Sequence, residues 1–312
     1  MKEIVVAADL GGTNLRVATV SEEGEVLFRT KKHTPRDESS AGIVNAIVAS
    51  AKKCISNSGG GTVRAVSIAA PATVDVEKGK IIVAPNLAAL NDLNIVAELE
   101  NRMGIPAILE NDALAAAIGE RWLGASKGKN DSVMITLGTG VGGGIIVNGE
   151  IVRGADGTAG EIGHICVEPN GFECGCGSHG CIEQYASAKA LVRLAREVET
   201  EAHQFPSKKV LSSADIFRLG KKGHPAALEA FRLQGYYLGI VIGGLINLLN
   251  PEVIVIGGGA AAGWSLFINV LRDQVKLRAY RKPAERAKIV RAKLGDDAGI
   301  LGAALLGFEK RL

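Results

Sequence analysis

Cys174, Cys176 and Cys181 follow His164 within one glycine-rich stretch, GHICVEPNGFECGCGSHGC. Thiolate and imidazole are the ligands zinc prefers, and three Cys with one His make the closed four-coordinate set of a structural zinc ion. Glu161 and Glu183 bracket these ligands without being needed to complete the metal shell. Both carboxylates are therefore available to accept hydrogen bonds from a polyhydroxylated ligand, and His164 can join them through its second ring nitrogen. The competing reading is a loop of buried free cysteines. Cys-x-Cys-Gly followed by Gly-Cys favours the metal, because it puts small residues where a chain must turn tightly around an ion. His179 lies inside the cluster as a competing ligand.

The elements that must position these residues come in two series. The first runs through strands at Ile4 to Asp9, Leu15 to Val20 and Val26 to His33 and a helix at Ser40 to Cys54. It continues with a strand at Val63 to Ala69, a helix near Ile95 to Arg102, a strand at Ala107 to Leu109 and a helix beginning after Asp112. The second restarts with strands at Ser132 to Thr136, Gly144 to Asn148 and Glu150 to Arg153, then helices and a strand at Val253 to Ile256. DLGGTNLRVATVSEEGEV at Asp9 to Val26 overlays TLGTGVGGGIIVNGEI at Thr136 to Ile151, a degenerate repeat of strand, glycine turn, strand, hairpin and strand. Two such turns offer backbone N–H groups and the hydroxyls of Thr13 and Thr139 to a chain of phosphates, or else are ordinary tight turns. Gly138 to Gly143 also fits G-x-G-x-x-G, but the dinucleotide fingerprint opens a helix and here the glycines run into the strand-like IIVNGEIV. A third cluster, Gly257 to Gly259, follows VIVI and precedes a helix from Trp264. It suits either an adenosine group or close packing of strand on helix.

A chain of 312 residues exceeds one hydrophobic core, so two domains with a cleft between them are expected. The sequence opens on EIVVAADL with no charged and apolar leader, and three of its five cysteines belong to one cluster, which together predict a cytoplasmic protein. The longest apolar run, Tyr236 to Leu249, is too short for a bilayer and reads as a buried helix, so no membrane partner is expected. The net charge of +3 has its positive excess between Arg272 and Lys293, where Tyr280 is the sole aromatic residue able to stack on a base. Nucleic acid is not an expected partner.

Together, DLGGTN at Asp9 to Asn14, LEND at Leu109 to Asp112, LGTGVGGG at Leu137 to Gly144, GEIGH at Gly160 to His164, CGCGSHGCIEQYAS at Cys174 to Ser187 and IGGG at Ile256 to Gly259 resemble the ROK family of sugar kinases and repressors. The resemblance runs the whole chain, and its cysteine motif is the most specific part. It implies an α/β fold of two actin-like ATPase lobes, ribonuclease H-like and hexokinase-type, about a central cleft. The small lobe would comprise 1–118 plus 299–312 and the large lobe 119–298, with the zinc loop at 164–181. GDDAGILGAALLG resembles the closing helix that returns to the N-terminal lobe.

By motif, the resemblance makes Asp112 the catalytic base, a role compatible with the other reading of this residue as a helix N-cap. It makes Asn86, Asn111, Asp112, Glu161, His164 and Glu183 sugar contacts. Asp9, Gly11, Gly12, Thr13, Asn14, Gly138, Thr139, Gly140, Gly258 and Gly259 become the nucleotide site, with Asp9 near the magnesium ion that accompanies ATP. Zinc goes to His164, Cys174, Cys176 and Cys181, leaving His179 on the surface. The implied activity is ATP-dependent phosphorylation of a hexose 6-hydroxyl, glucose first, by a homodimer or homotetramer. PATVD followed by APNL resembles the glucokinases, although Pro71-Ala72 replaces their Pro-Gly. SHGCIE also resembles the N-acetylmannosamine kinases, and fructose and N-acetylglucosamine are further alternatives. A sugar-responsive repressor is the non-enzyme alternative. It would need a DNA-binding segment before Ile4, and could dispense with Asp112.

Overall fold

A computed structural model describes residues 2–35, 39–200, 204–205 and 211–309. In chain order the elements begin with β1 (Glu3–Leu10), β2 (Asn14–Ser21), β3 (Val26–His33), α1 (Ser40–Ser56), β4 (Thr62–Ala70), β5 (Thr73–Asp75), β6 (Lys80–Val83), α2 (Ile95–Met103), β7 (Ala107–Asn111) and α3 (Asp112–Leu123). Then come β8 (Ser132–Leu137), β9 (Val141–Val147), β10 (Glu150–Ile151), α4 (Glu183–Ala186), α5 (Ala188–Glu197), α6 (Ser213–Lys221) and α7 (Pro225–Leu249). The chain ends with β11 (Val253–Gly257), α8 (Trp264–Arg278), α9 (Arg281–Arg286), β12 (Lys288–Arg291) and α10 (Ala298–Glu309).

These elements form two compact units. One comprises Met1–Gly128, Val152–Ala159 and Lys293–Leu312; the other comprises Lys129–Ile151 and Gly160–Ala292. The boundary expected at 118 therefore moves, because α3 continues unbroken to Leu123 and a helix is not divided between two cores. The return also moves, from 299 to Lys293, ahead of α10.

The sheet of the first unit has the order β3-β2-β1-β4-β7, and that of the second β10-β9-β8-β11-β12. In each, the first three strands pair antiparallel and the last two join in parallel. The degenerate sequence repeat is thus a repeat of topology. Strand β1 shows why its sequence is almost wholly apolar. Val6, Ala8 and Leu10 enter one core with α1, while Val5 and Ala7 enter another with α10. Alternate side chains point to opposite faces, so a strand covered on both sides cannot alternate with polar residues.

Helix α10 fits against α3 through glycine. A Cβ on Gly302 would lie 1.7 Å from the Ala115 carbonyl oxygen, and one on Gly119 would lie 2.2 Å from that of Ala298. The two helices cross at backbone contact, which accounts for Gly302 in GILGAALLG; Gly299 faces Asp9 instead, and Gly307 faces Val5 of β1. The apolar run from Tyr236 is the end of α7, which begins earlier at Pro225 because proline is suited to the first helical position.

Two short elements differ from expectation. The strand expected from Gly144 starts at Val141, so Gly142 and Gly143 are strand residues. A Cβ on Gly143 would lie 2.4 Å from the Gly160 carbonyl oxygen, so a chain passing against the sheet explains that glycine. The strand expected at Glu150 to Arg153 ends at Ile151, because Val152 onward belongs to the other unit. The β5–β6 hairpin and edge strand β12 were not anticipated; both are too short to show a period of two.

Candidate active site and metal centre

The β7–α3 junction carries three of the expected residues. Asn111 is the N-cap of α3: its Oδ1 accepts from Ala113 N at 2.9 Å and Leu114 N at 3.1 Å, while its Nδ2 donates to Ala72 O at 3.1 Å. The capping role offered to Asp112 therefore falls to Asn111, whose amide oxygen reaches two orphan N–H groups at once. Asp112 occupies the first turn, where the helix dipole favours an acidic side chain, and its Oδ1 accepts from Ala113 N at 2.8 Å. It is half-buried.

Glu110 belongs to the same LEND motif, which implies no role for it. It is 1% exposed, its Oε1 accepts from Asn111 N at 2.9 Å, and Arg153 Nη2 lies 2.6 Å from its Oε2. A carboxylate in the run AILEN was the available signal, since a buried charge requires a cation. Nothing in the sequence named Arg153 as that cation.

The first glycine turn joins β1 to β2. Gly11 N donates to Asn14 O at 2.8 Å, and Thr13 is exposed at the tip. Asn86, exposed after β6, comes beside this turn: a Cβ on Gly12 would lie 3.3 Å from the Asn86 Cβ. Asp9 Oδ2 accepts from Arg16 Nη1 at 3.1 Å, and Arg16 Nη2 also reaches Asp296 at 2.8 Å. Burial raises the Asp9 pKa above the ordinary 3.8, with Arg16 opposing the shift. Its other oxygen faces the start of α10, 3.4 Å from where a Cβ on Gly299 would stand.

In the second unit the matching turn joins β8 to β9. Gly138 N donates to Gly140 O at 2.9 Å, and Thr139 is exposed. Glu183, the first residue of α4, sends Oε2 to Val141 N at 3.0 Å, and a Cβ on Gly140 would lie 2.3 Å from that oxygen. One carboxylate oxygen is thus tied to the glycine turn, and Gly140 is needed for its approach. Gly258, at φ +85°, has a similar packing reason: a Cβ there would meet the Leu137 carbonyl oxygen at 2.4 Å. The position of Gly259 is open. A 3-10 turn, Gly259–Gly263, separates these glycines from α8, so the helix N-terminus does not directly follow the strand as expected.

His164, Cys174, Cys176 and Cys181 converge, with one ligand atom from each lying within 4.8 Å of the others. Cys176 Sγ is 3.7 Å from Cys181 Sγ, and Cys174 Sγ is 3.6 Å from His164 Nδ1. Bonds of ~2.3 Å in a tetrahedron put ligand atoms about 3.8 Å apart, so the donor set fits zinc in spacing as well as chemistry. Burial pushes the Cys181 thiol up to about 12, with Cys174 and Cys176 adding to the shift; bound zinc would hold it as thiolate. Because Nδ1 faces the sulfurs, His164 Nε2 is the ring nitrogen left for other partners, and Glu161 Oε2 stands 3.9 Å from it. Glu161 is exposed, as is His179, which is outside the four-residue cluster.

The ROK family model matches residues 5–310. The chain belongs to the ROK family. A glucokinase of Halalkalibacterium halodurans is 36% identical over 310 residues, covering 96% of this chain and 94% of that protein. The crystal structure of a ROK glucokinase from Streptomyces griseus in complex with glucose and AMPPNP superimposes with a TM-score of 0.85. Identity there is 36%, over 98% of this chain and all of that one. A ROK transcriptional regulator reaches a TM-score of 0.88 at 27% identity, but the match covers only 78% of its chain. These ROK relatives carry the actin-like ATPase fold, and this chain shares it. Among the described residues no helix is long and apolar enough to cross a membrane.

Proposed function

We propose that this ROK protein is an ATP-dependent glucose kinase, transferring the γ-phosphoryl group of ATP to the sugar 6-hydroxyl. The observation that carries the reading is the 36% identity to a glucokinase over nearly the whole of both chains. The motif residues expected for the reaction are present. The N-acylated hexosamine and fructose alternatives have less support, since relatives at this identity are glucokinases. The repressor reading has less support, since the glucokinase relatives are 34–36% identical and the xylose repressors 28–31%.

In this account Asp112 takes the proton from the 6-hydroxyl as the phosphoryl group arrives, since phosphoryl transfer needs mainly alignment and charge balance. Asn111 fixes the start of α3 and retains one amide hydrogen for a sugar oxygen. Asn86 is a further sugar contact. On the second unit, Glu161, His164 Nε2 and the untied oxygen of Glu183 match hydroxyls that both donate and accept. The turns at Gly11 to Asn14 and Gly138 to Gly140, with Gly258 and Gly259, serve the nucleotide. Zinc on His164, Cys174, Cys176 and Cys181 would keep this loop in shape. Magnesium would accompany ATP and neutralise phosphate charge; a single carboxylate such as Asp9 suits an ion that keeps most of its water. A homodimer or homotetramer in the cytoplasm completes the proposal, the free cysteines being consistent with a reducing compartment.

An assay coupled to ADP release, run over glucose, mannose, fructose, N-acetylglucosamine and N-acetylmannosamine, tests it. Glucose should give the highest kcat/KM. Turnover with none of the five would refute the kinase.

A further inference from the structure

The second unit has a cavity of about 710 Å³ between α8, α9 and β12, and none of the candidate sugar, nucleotide or zinc residues lines it. Its floor is apolar, formed by Val275, Ile289 and Val290, while Arg272, Lys276, Arg281 and Lys288 stand around it. Glu285 is the one carboxylate in the lining, and Arg281 Nε already holds it at 2.9 Å. From Arg272 to Arg291 there are eight Lys and Arg against two acidic residues, a net of +6 in a chain whose total is +3. The remainder of the molecule is therefore acidic on balance, and the positive excess lies in this segment, four of whose cations line the cavity.

Helix-end effects explain only some of that charge. Lys276 and Arg278 lie in the last turn of α8, where cations complement the dipole. Arg272 is a turn earlier, four residues from Lys276, and like charges at that spacing oppose helix formation. Lys276 is 3.6 Å from Asp273 in an exposed pair, whereas the side chains of Arg272 and Lys288 have no hydrogen-bond or ion-pair partner among the described residues. An anion would relieve this repulsion. A second copy of the chain docked by two-fold symmetry would increase it, because such a contact sets the same cations against themselves. The volume is that of a small-molecule pocket, and concave walls focus the field of the surrounding charges. Tyr280 is the lone aromatic residue in the basic segment, so there is no stacking platform for bases.

We propose that this cavity binds a small phosphorylated molecule, with Arg272 and Lys288 on its phosphate and the apolar floor beneath its body. Arginine supplies a fork matched to phosphate oxygens and lysine a point charge, a division of labour common at phosphate sites. The site is independent of the kinase reading, because it shares no residue with the proposed catalytic groups. Its ligand can be the reaction's own phosphorylated product or another phosphate compound.

Calorimetric titration of the full chain separates these sources. Glucose and AMPPNP are kept saturating, and glucose 6-phosphate or inorganic pyrophosphate is the titrant. At least one probe should bind wild type saturably, more weakly as salt is raised. Arg272→Glu/Lys288→Glu should weaken that binding at least tenfold, leaving the melting curve and the rate of glucose phosphorylation without added anion unchanged. Binding of glucose 6-phosphate alone supports the site and names the product as its source. Binding of pyrophosphate, with or without the sugar phosphate, supports it with the phosphate group itself as determinant. Absence of saturable binding by both probes, or equal affinity in the folded double variant, overturns it.

Discussion

Arg153 Nη2 lies 2.6 Å from Oε2 of the buried Glu110, whose Oε1 accepts from the amide of Asn111. This ties the segment after β10 to the strand end that leads into Asp112. Removing one member of a buried pair leaves an uncompensated charge and costs about 3–5 kcal/mol, whereas replacing both costs far less. Arg153→Met should therefore lower Tm and kcat together. Glu110→Gln/Arg153→Met, which keeps an acceptor for Asn111, should be more stable than the single variant. Thermal melts of the two variants check the order.

Gly302 and Gly119 allow α10 to cross α3 at backbone contact. Gly302→Ala puts a methyl group where a carbonyl oxygen stands, and overpacking of this kind costs about 1–3 kcal/mol or more. The variant should melt several degrees lower. Gly104→Ala, at an open left-handed position, should cost less, about 1 kcal/mol from backbone strain alone. Comparing the two melting curves separates packing from conformation.

Asp9 has a raised folded pKa, caused first by burial and opposed by Arg16. The folded state therefore holds its proton more tightly than the unfolded chain, so its stability contribution is fully present below the ordinary 3.8 and falls as pH rises through the folded value. Asp9→Asn cannot lose that proton. The Tm difference between variant and wild type should move in favour of the variant as pH is raised from about 4 to 7. A difference independent of pH would contradict the assignment.

The four residues proposed to hold zinc lie within the segment from Glu161 to Glu183. Chelation of the metal, or Cys176→Ser, should abolish glucose binding by calorimetry while AMPPNP binding persists. Unchanged glucose affinity in metal-free protein would remove the loop-shaping role from zinc.

The convergence of His164, Cys174, Cys176 and Cys181 was legible in sequence because coordination chemistry restricts the types and spacing of a ligand set, and the duplicated sheet because β1–β2–β3 and β8–β9–β10 kept their glycines and hairpins. What escaped depended on the third dimension. Arg153 meets Glu110 across a long sequence separation, and Gly140 owes its place to the Glu183 carboxylate, a contact absent from any local pattern. The N-cap is ambiguous in the sequence because Asn111 and Asp112 are both good caps, and only the hydrogen bonds from Ala113 and Leu114 to Asn111 distinguish them. Edge strand β12 was concealed by the basic residues along Lys288 to Arg291.

That capping result makes Asp112→Asn a clean test of the catalytic base, since Asn111 continues to hold the helix start in the variant. General-base catalysis contributes roughly 10²- to 10⁴-fold. The kcat for glucose phosphorylation, measured alongside Tm on the same preparation, should fall by at least about 10² while Tm stays close to wild type. A kcat within threefold of wild type in the folded variant would contradict Asp112 as the base.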